Sequence, residues 1–180
     1  MQHLKLFIRQ SYTEAGLNEM SVIQGMLELL KNLNGHPNRL ELTTGAKAYN
    51  KDNFKQAYEE ETGNAFTPVN FRRTRLELLH SCDAMIIIRT GMSESTAFEL
   101  CHNLCSSQPV PVFFAILKGR EIRTTLLQDL DDFADVEYHS FEQPEDIRLA
   151  LVHFLDRIAW AKADKLKNLA KERLAAQEVD

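Results

Sequence analysis

Between Asp83 and Ile116 the sequence writes a strand, a helix and a second strand, and this unit restricts the fold more than any other stretch. Asp83 to Ile88 is short, mostly apolar and closed by three consecutive isoleucines, the pattern of a strand covered on both faces in a parallel sheet. A loop containing Gly91 follows. Ser93, Glu94, Ser95 and Thr96 then supply capping oxygens and an acidic first turn, which predicts a helix starting near Ser93 or Ser95. Its apolar positions Ala97, Leu100, Cys101 and Leu104 recur at helical spacing, and Pro109 ends it before a buried strand from Val110 to Ile116. The polar residues gather at the carboxyl end of the first strand. Open α/β sheets bind ligands there, because free amide N–H groups and the helix dipole both favour an anion.

The rest of the chain repeats the alternation. Leu4 to Ile8 reads as a first strand, and Ser11-Tyr12-Thr13-Glu14 as a capping box opening a helix that runs to about Leu33. Turn residues from Asn34 to Asn38 lead to a short strand, Leu40 to Thr43, which ends in Thr44-Gly45. A helix is predicted over Asp52 to Glu61 with Gly63 just past its end, Thr67-Pro68 breaks the chain, and a helix from Asn70 to Ser81 carries Arg72, Arg73 and Arg75. After Ile116 come a short helix around Thr125 to Asp132, a weak strand from Val136 to His139, and a Pro-initiated helix from Glu145. Ile147, Leu151, Phe154, Leu155 and Ile158 give that last helix one apolar face, and Leu166, Leu169 and Leu174 continue among charges as a solvated extension or a partner-packing helix. Strands alternating with helices predict a three-layer α/β/α sandwich around a five-stranded, mainly parallel, Rossmann-like or flavodoxin-like sheet. One domain is expected over residues 1–162, with a helical extension over 163–180.

Composition narrows the function. A net charge of −5 without any basic run argues against nucleic acid as a partner, since phosphate backbones need a basic face. The amino-terminal apolar patch is too short for a signal-peptide core and no segment approaches a membrane span, so a cytoplasmic protein without a membrane partner is expected. Three cysteines, an odd count, fit reduced thiols. Cys101, His102 and Cys105, with His80 and Cys82, raise the question of a metal site. No CxxC pair is present, and an i, i+4 cysteine pair on an apolar stripe reads better as two buried thiols, so no metal or other cofactor is expected.

Glu99 is the side chain with the most chemistry within reach. A carboxylate one to two turns into a helix is kept ionised by the dipole, with Ser95 and Thr96 one turn back to hydrogen-bond a ligand. Such a carboxylate can attack or stabilise a sugar C1 as its bond to a base breaks. It also fits an ordinary exposed helix glutamate, because on a helical wheel it lies opposite Ala97, Cys101 and Leu104.

The stretch from Cys82 to Ile116 resembles the core of the nucleoside 2-deoxyribosyltransferases and of the Lonely Guy type enzymes, grouped as the SLOG superfamily. Ser93-Glu94-Ser95-Thr96-Ala97-Phe98-Glu99 is similar to the D-D-G-S/T-A-F-E run of the transferases, and Thr43-Thr44-Gly45 to the T-G-G turn of the Lonely Guy type. The resemblance implies a nucleotide-binding domain that hydrolyses or transfers at an N-glycosidic bond, with Glu99 as the nucleophilic or oxocarbenium-stabilising glutamate; separately, the need to cover Glu99 and the apolar surface left on the last helix predict a homodimer or larger. The resemblance also implies a catalytic or phosphate-facing arginine at Arg73 or Arg75, and binding of a small nucleotide or nucleoside by Thr44, Gly45, Arg89, Gly91, Ser93, Ser95 and Thr96. The chain departs from the pattern at Ser95, where the transferases have Gly, at Ser93, where they have an acid, and in lacking the P-G-G-x-G-T loop. An Asp of the transferases falls on Arg73, and an arginine there suits a phosphorylated substrate. A non-catalytic nucleotide sensor of the same fold stands as the alternative. A further one is a TIR-like NAD hydrolase, to which Leu6-Phe7-Ile8-Arg9-Gln10-Ser11 and the spacing of Ser95 and Glu99 are similar.

Overall fold

The isoleucine run forms β3 (Ala84–Arg89), the middle strand of a five-stranded sheet in a computed structural model that describes residues 2–10, 16–33, 38–43, 54–91 and 93–177. Around it lie β1 (His3–Gln10), β2 (Arg39–Leu42), β4 (Val112–Leu117) and β5 (Val136–Phe141), in the order β2-β1-β3-β4-β5. Every neighbouring pair is parallel, with Leu6 opposite both Leu42 and Ala84, and Ile86 opposite Phe113. This is the doubly wound arrangement expected, and its strand order places the switch of direction between β1 and β3.

Alternation along each strand sorts the core into two layers. Leu4, Leu6, Ile8, Ile86 and Phe113 face α1 (Leu17–Asn32) and α5 (Arg148–Gln177), where Met26, Leu30, Leu151 and Phe154 meet them. Phe7, Met85, Ile87 and Phe114 face the other way, toward Leu79 of α3 (Pro68–His80) and Leu100 of α4 (Glu94–Leu104). α2 (Phe54–Thr62) adds Tyr58, Phe54 and the neighbouring Phe66 and Phe71 as an edge-to-face aromatic group.

Several boundaries differ from the sequence reading for identifiable reasons. α1 begins at Leu17, where the Glu19 carboxylate accepts the Gly16 N–H at 3.1 Å; Ser11 to Glu14 lie outside the described residues. Thr67 and Pro68 do not merely interrupt the chain: the Thr67 hydroxyl caps α3 by accepting from Asn70 N at 3.1 Å, and Pro68 opens it, with the pre-set φ that suits a first helical turn. β4 starts at Val112 because the Val110 backbone is taken by Asn103, whose amide donates to Val110 O at 2.8 Å and accepts from Val110 N at 3.0 Å. The helix expected over Thr125 to Asp132 is two separate 3-10 turns. Tyr138 holds them, its hydroxyl donating to Leu127 O at 2.9 Å and accepting from Leu130 N at 3.1 Å.

α5 runs unbroken from Arg148, after a 3-10 turn over Pro144–Ile147. Lys162 fastens it to the sheet by donating to His3 O and to Asp83, each at 2.7 Å. Beyond that point Leu166 and Leu169 are exposed, as is Trp160. Among the described residues, no helix is long and apolar enough to cross a membrane.

Candidate functional site

β1, α3 and α4 bring three charged side chains together beneath the carboxyl edge of the sheet. Ser93 caps α4 by accepting from Thr96 N at 3.3 Å, which sets the phase of the helix so that Glu99 turns inward. Phe7 and Arg9 occupy alternate positions on the α4 side of β1, and Arg9 reaches Glu99 with Nε 2.6 Å from Oε2. From α3, Arg75 donates Nε to the other carboxylate oxygen at 3.0 Å, and its guanidinium lies 4.5 Å over the Phe7 ring. The Glu99 side chain is 8% exposed, against 16% for Arg9 and 17% for Arg75.

Two guanidiniums and one carboxylate leave this buried group with one net positive charge. Burial pushes the Arg9 guanidinium below its ordinary pKa; Glu99 opposes that shift and the Arg75 charge adds to it. An arginine remains charged near neutrality even so. Arg9 Nε and Glu99 Oε2 meet as an ion pair without the alignment of a hydrogen bond, and they and Arg75 Nη2 are buried with no hydrogen-bond partner among the described residues.

Hydroxyls extend the group toward the helix terminus. Arg9 Nη2 donates to Ser95 Oγ at 2.7 Å, Ser95 Oγ lies 3.2 Å from Ser93 Oγ, and the Thr96 hydroxyl donates to Ser93 Oγ at 3.0 Å. Ser95, Glu99 and Asn103 recur at i, i+4 and form one polar stripe on the sheet side of α4. Beside it, Arg89, Gly91, Ser93, Thr96 and Leu127 border a groove enclosing about 20 Å³, room for about one water.

The structure unites Glu99, Arg75, Ser93, Ser95 and Thr96 and keeps others apart. Arg73 is exposed and donates to Asn70 Oδ1 at 2.8 Å, away from the carboxylate. Arg89 borders the groove but turns to the backbone, donating Nε to Arg120 O at 3.0 Å. Thr44 and Gly45 lie outside the described residues. Cys101 and Cys105 are exposed, which corrects the expectation of two buried thiols; the buried one is Cys82. The wheel that put Glu99 on the solvent side of α4 is corrected as well: Glu99, Leu100 and Asn103 are the buried residues. Arg9 was named only within the run similar to a TIR-like hydrolase and was not among the candidate site residues. Its signal was present, a charged side chain at the carboxyl end of the first strand, on the same face as Phe7.

No family model matches the chain, and no curated protein matches it. Among solved structures it is similar to the CMP N-glycosidase BcmB of Clostridium botulinum, with a TM-score of 0.53 at 12% identity. The match covers 83% of this chain and 98% of that one, and it establishes the shared fold.

Proposed function

We propose that the chain binds a phosphorylated nucleoside across the carboxyl ends of β1 and β3 and breaks its N-glycosidic bond, with Glu99 at the anomeric carbon. The observation that carries this reading is the Glu99 carboxylate, buried on α4 between Arg9 and Arg75 and in line with the hydroxyls of Ser95 and Ser93. The solved structure of like fold is described as a CMP N-glycosidase, and a nucleoside monophosphate is the kind of ligand a cationic crest would accept.

The chemistry follows from the charges. A substrate phosphate at the amino terminus of α4, among Ser93, Ser95 and Arg9, competes with Glu99 for the Arg9 guanidinium. Loosening that contact frees a carboxylate lone pair as the sugar C1 becomes oxocarbenium-like. The C1–N bond breaks with its electron pair going to the base, which takes up a proton, and water or a second base completes C1. Arg75 keeps the carboxylate oriented throughout. The same reading includes a homo-oligomer, since Trp160, Leu166 and Leu169 leave apolar surface on α5.

A second reading rests on a specific feature: both oxygens of Glu99 are held by guanidiniums, as in a binding module that uses the carboxylate only to orient arginines. Incubation with a panel of nucleoside 5′-monophosphates, free nucleosides and NAD, followed by chromatography of free base, separates the two. The glycosidic reading requires base release from at least one monophosphate, and Glu99→Ala should abolish release while changing binding by less than about tenfold. Equal inertness of wild type and variant, with both binding one nucleotide, establishes the binding module instead. Release from NAD alone points to an NAD hydrolase.

A further inference from the structure

His80 is the last residue of α3, and His102 lies in the last turn of α4. Their Nε2 atoms share a hydrogen bond at 2.9 Å, one ring donating and the other accepting, with ring centroids 5.0 Å apart and ring planes at 58°; a bound cation would take the place of that shared proton. His80 is exposed and His102 half-buried, so both rings can turn, and water reaches the pair. Among the described residues neither ring is paired with a carboxylate, unlike His3 with Glu41 or His139 with Glu137. Two imidazole nitrogens that converge from separate helices are chemically suited to a shared borderline cation.

We propose that His80 and His102 form a two-histidine site for a divalent transition-metal ion of the Zn²⁺ or Ni²⁺ class, stapling α3 to α4. Bonds of about 2.0–2.1 Å to one tetrahedral ion place the two nitrogens about 3.3 Å apart. The observed 2.9 Å falls short of that by a few tenths of an ångström, within reach of a small rotation of each ring. No group of three or more His, Cys, Asp or Glu side chains converges among the described residues, so water fills the remaining positions and the site stays open.

The staple lies on the two helices that build the ion group. Along α3, His80 is five residues past Arg75, a rise of about 7.5 Å; along α4, His102 is three residues past Glu99, about 4.5 Å. Metal binding thus fixes the spacing of the helices that set the 3.0 Å contact between Arg75 and Glu99. The inference stands on the histidine geometry and is independent of the glycosidic reading.

Exposed Cys101 and Cys105 would bind the same ions, so the test uses the full chain carrying Cys101→Ser and Cys105→Ser. Titration calorimetry with Zn²⁺ and with Ni²⁺ should then show one ion per chain, and thermal unfolding should move upward as Zn²⁺ is added. Adding either His80→Ala or His102→Ala should weaken binding by about tenfold or more. His102→Gln keeps the side-chain size and should lose the metal equally, which separates loss of a ligand from loss of packing. Absence of binding in the double-serine chain, or equal binding with and without the histidines, overturns the proposal.

Discussion

Glu99→Gln removes one negative charge from between two guanidiniums while keeping the shape of the side chain. Arg9 and Arg75 are then left facing each other with no counter-charge, under side chains that are 16% and 17% exposed. Breaking a buried ion pair by removing one partner costs about 3–5 kcal/mol. The Gln carbonyl still accepts from one arginine while its amide faces the other as a donor, so the low end, about 3 kcal/mol, is the expected loss. For a chain of 180 residues, such a loss corresponds to a fall of about 6–12 °C in the unfolding midpoint. Urea unfolding followed by far-UV circular dichroism is the suitable assay, because Trp160 is 80% exposed and its fluorescence would barely respond. Arg9→Met combined with Glu99→Gln should recover about 1 kcal/mol or more relative to the sum of the single effects, since it removes one of the unpaired cations. A loss below about 1 kcal/mol for Glu99→Gln, the range of exposed pairs, would refute the buried ion group.

Asn103→Ala leaves the Val110 N–H and carbonyl without partners and should cost about 2 kcal/mol by the same denaturation assay, while Asn103→Asp, which sets a buried carboxylate against the Val110 carbonyl, should cost no less. Native-state alkylation should modify Cys101 and Cys105 quickly and Cys82 only on unfolding, as peptide mass analysis would show. Burial raises the Cys82 thiol above its ordinary pKa, against weaker opposing hydrogen bonds from Thr43 and Ser81. A folded pKa above the unfolded value, about 8.5, gives a contribution fully present below that pH and lost as pH rises through the folded value, so Cys82→Ala should flatten the alkaline decline in stability. Light scattering at micromolar concentration should give a dimer or larger, and Trp160→Glu with Leu166→Glu should reduce it; a monomeric wild type would count against the oligomer.

The periodicities carried most of the fold. The isoleucine run, the capping Ser93, and the stripe from Ile147 to Ile158 each obey one dominant local rule, and each forms the element that rule implies. The phase of α4 was not legible in the same way. Its inward face holds Glu99 and Asn103, two polar residues buried because distant partners satisfy them: Arg9 from β1, Arg75 from α3 and the Val110 backbone. Hydrophobic spacing instead selected Cys101, which is exposed, since periodicity cannot register a partner ninety residues away. The choice between Arg73 and Arg75 turned on the rotation of α3 about its axis, fixed by Leu79 against the sheet and Tyr58 against Thr74. Asp129 shows a similar limit: its left-handed backbone, φ 51°, separates the two 3-10 turns where local composition suggested one helix.

The most direct measurement is a crystal structure of the Glu99→Ala chain with a nucleoside 5′-monophosphate bound, the variant being chosen so that the substrate survives. The account predicts the phosphate among Ser93, Ser95 and Arg9 at the amino terminus of α4, with the anomeric carbon facing the space left by the carboxylate. A nucleotide seated elsewhere on the molecule, or one whose sugar points away from position 99, would contradict it.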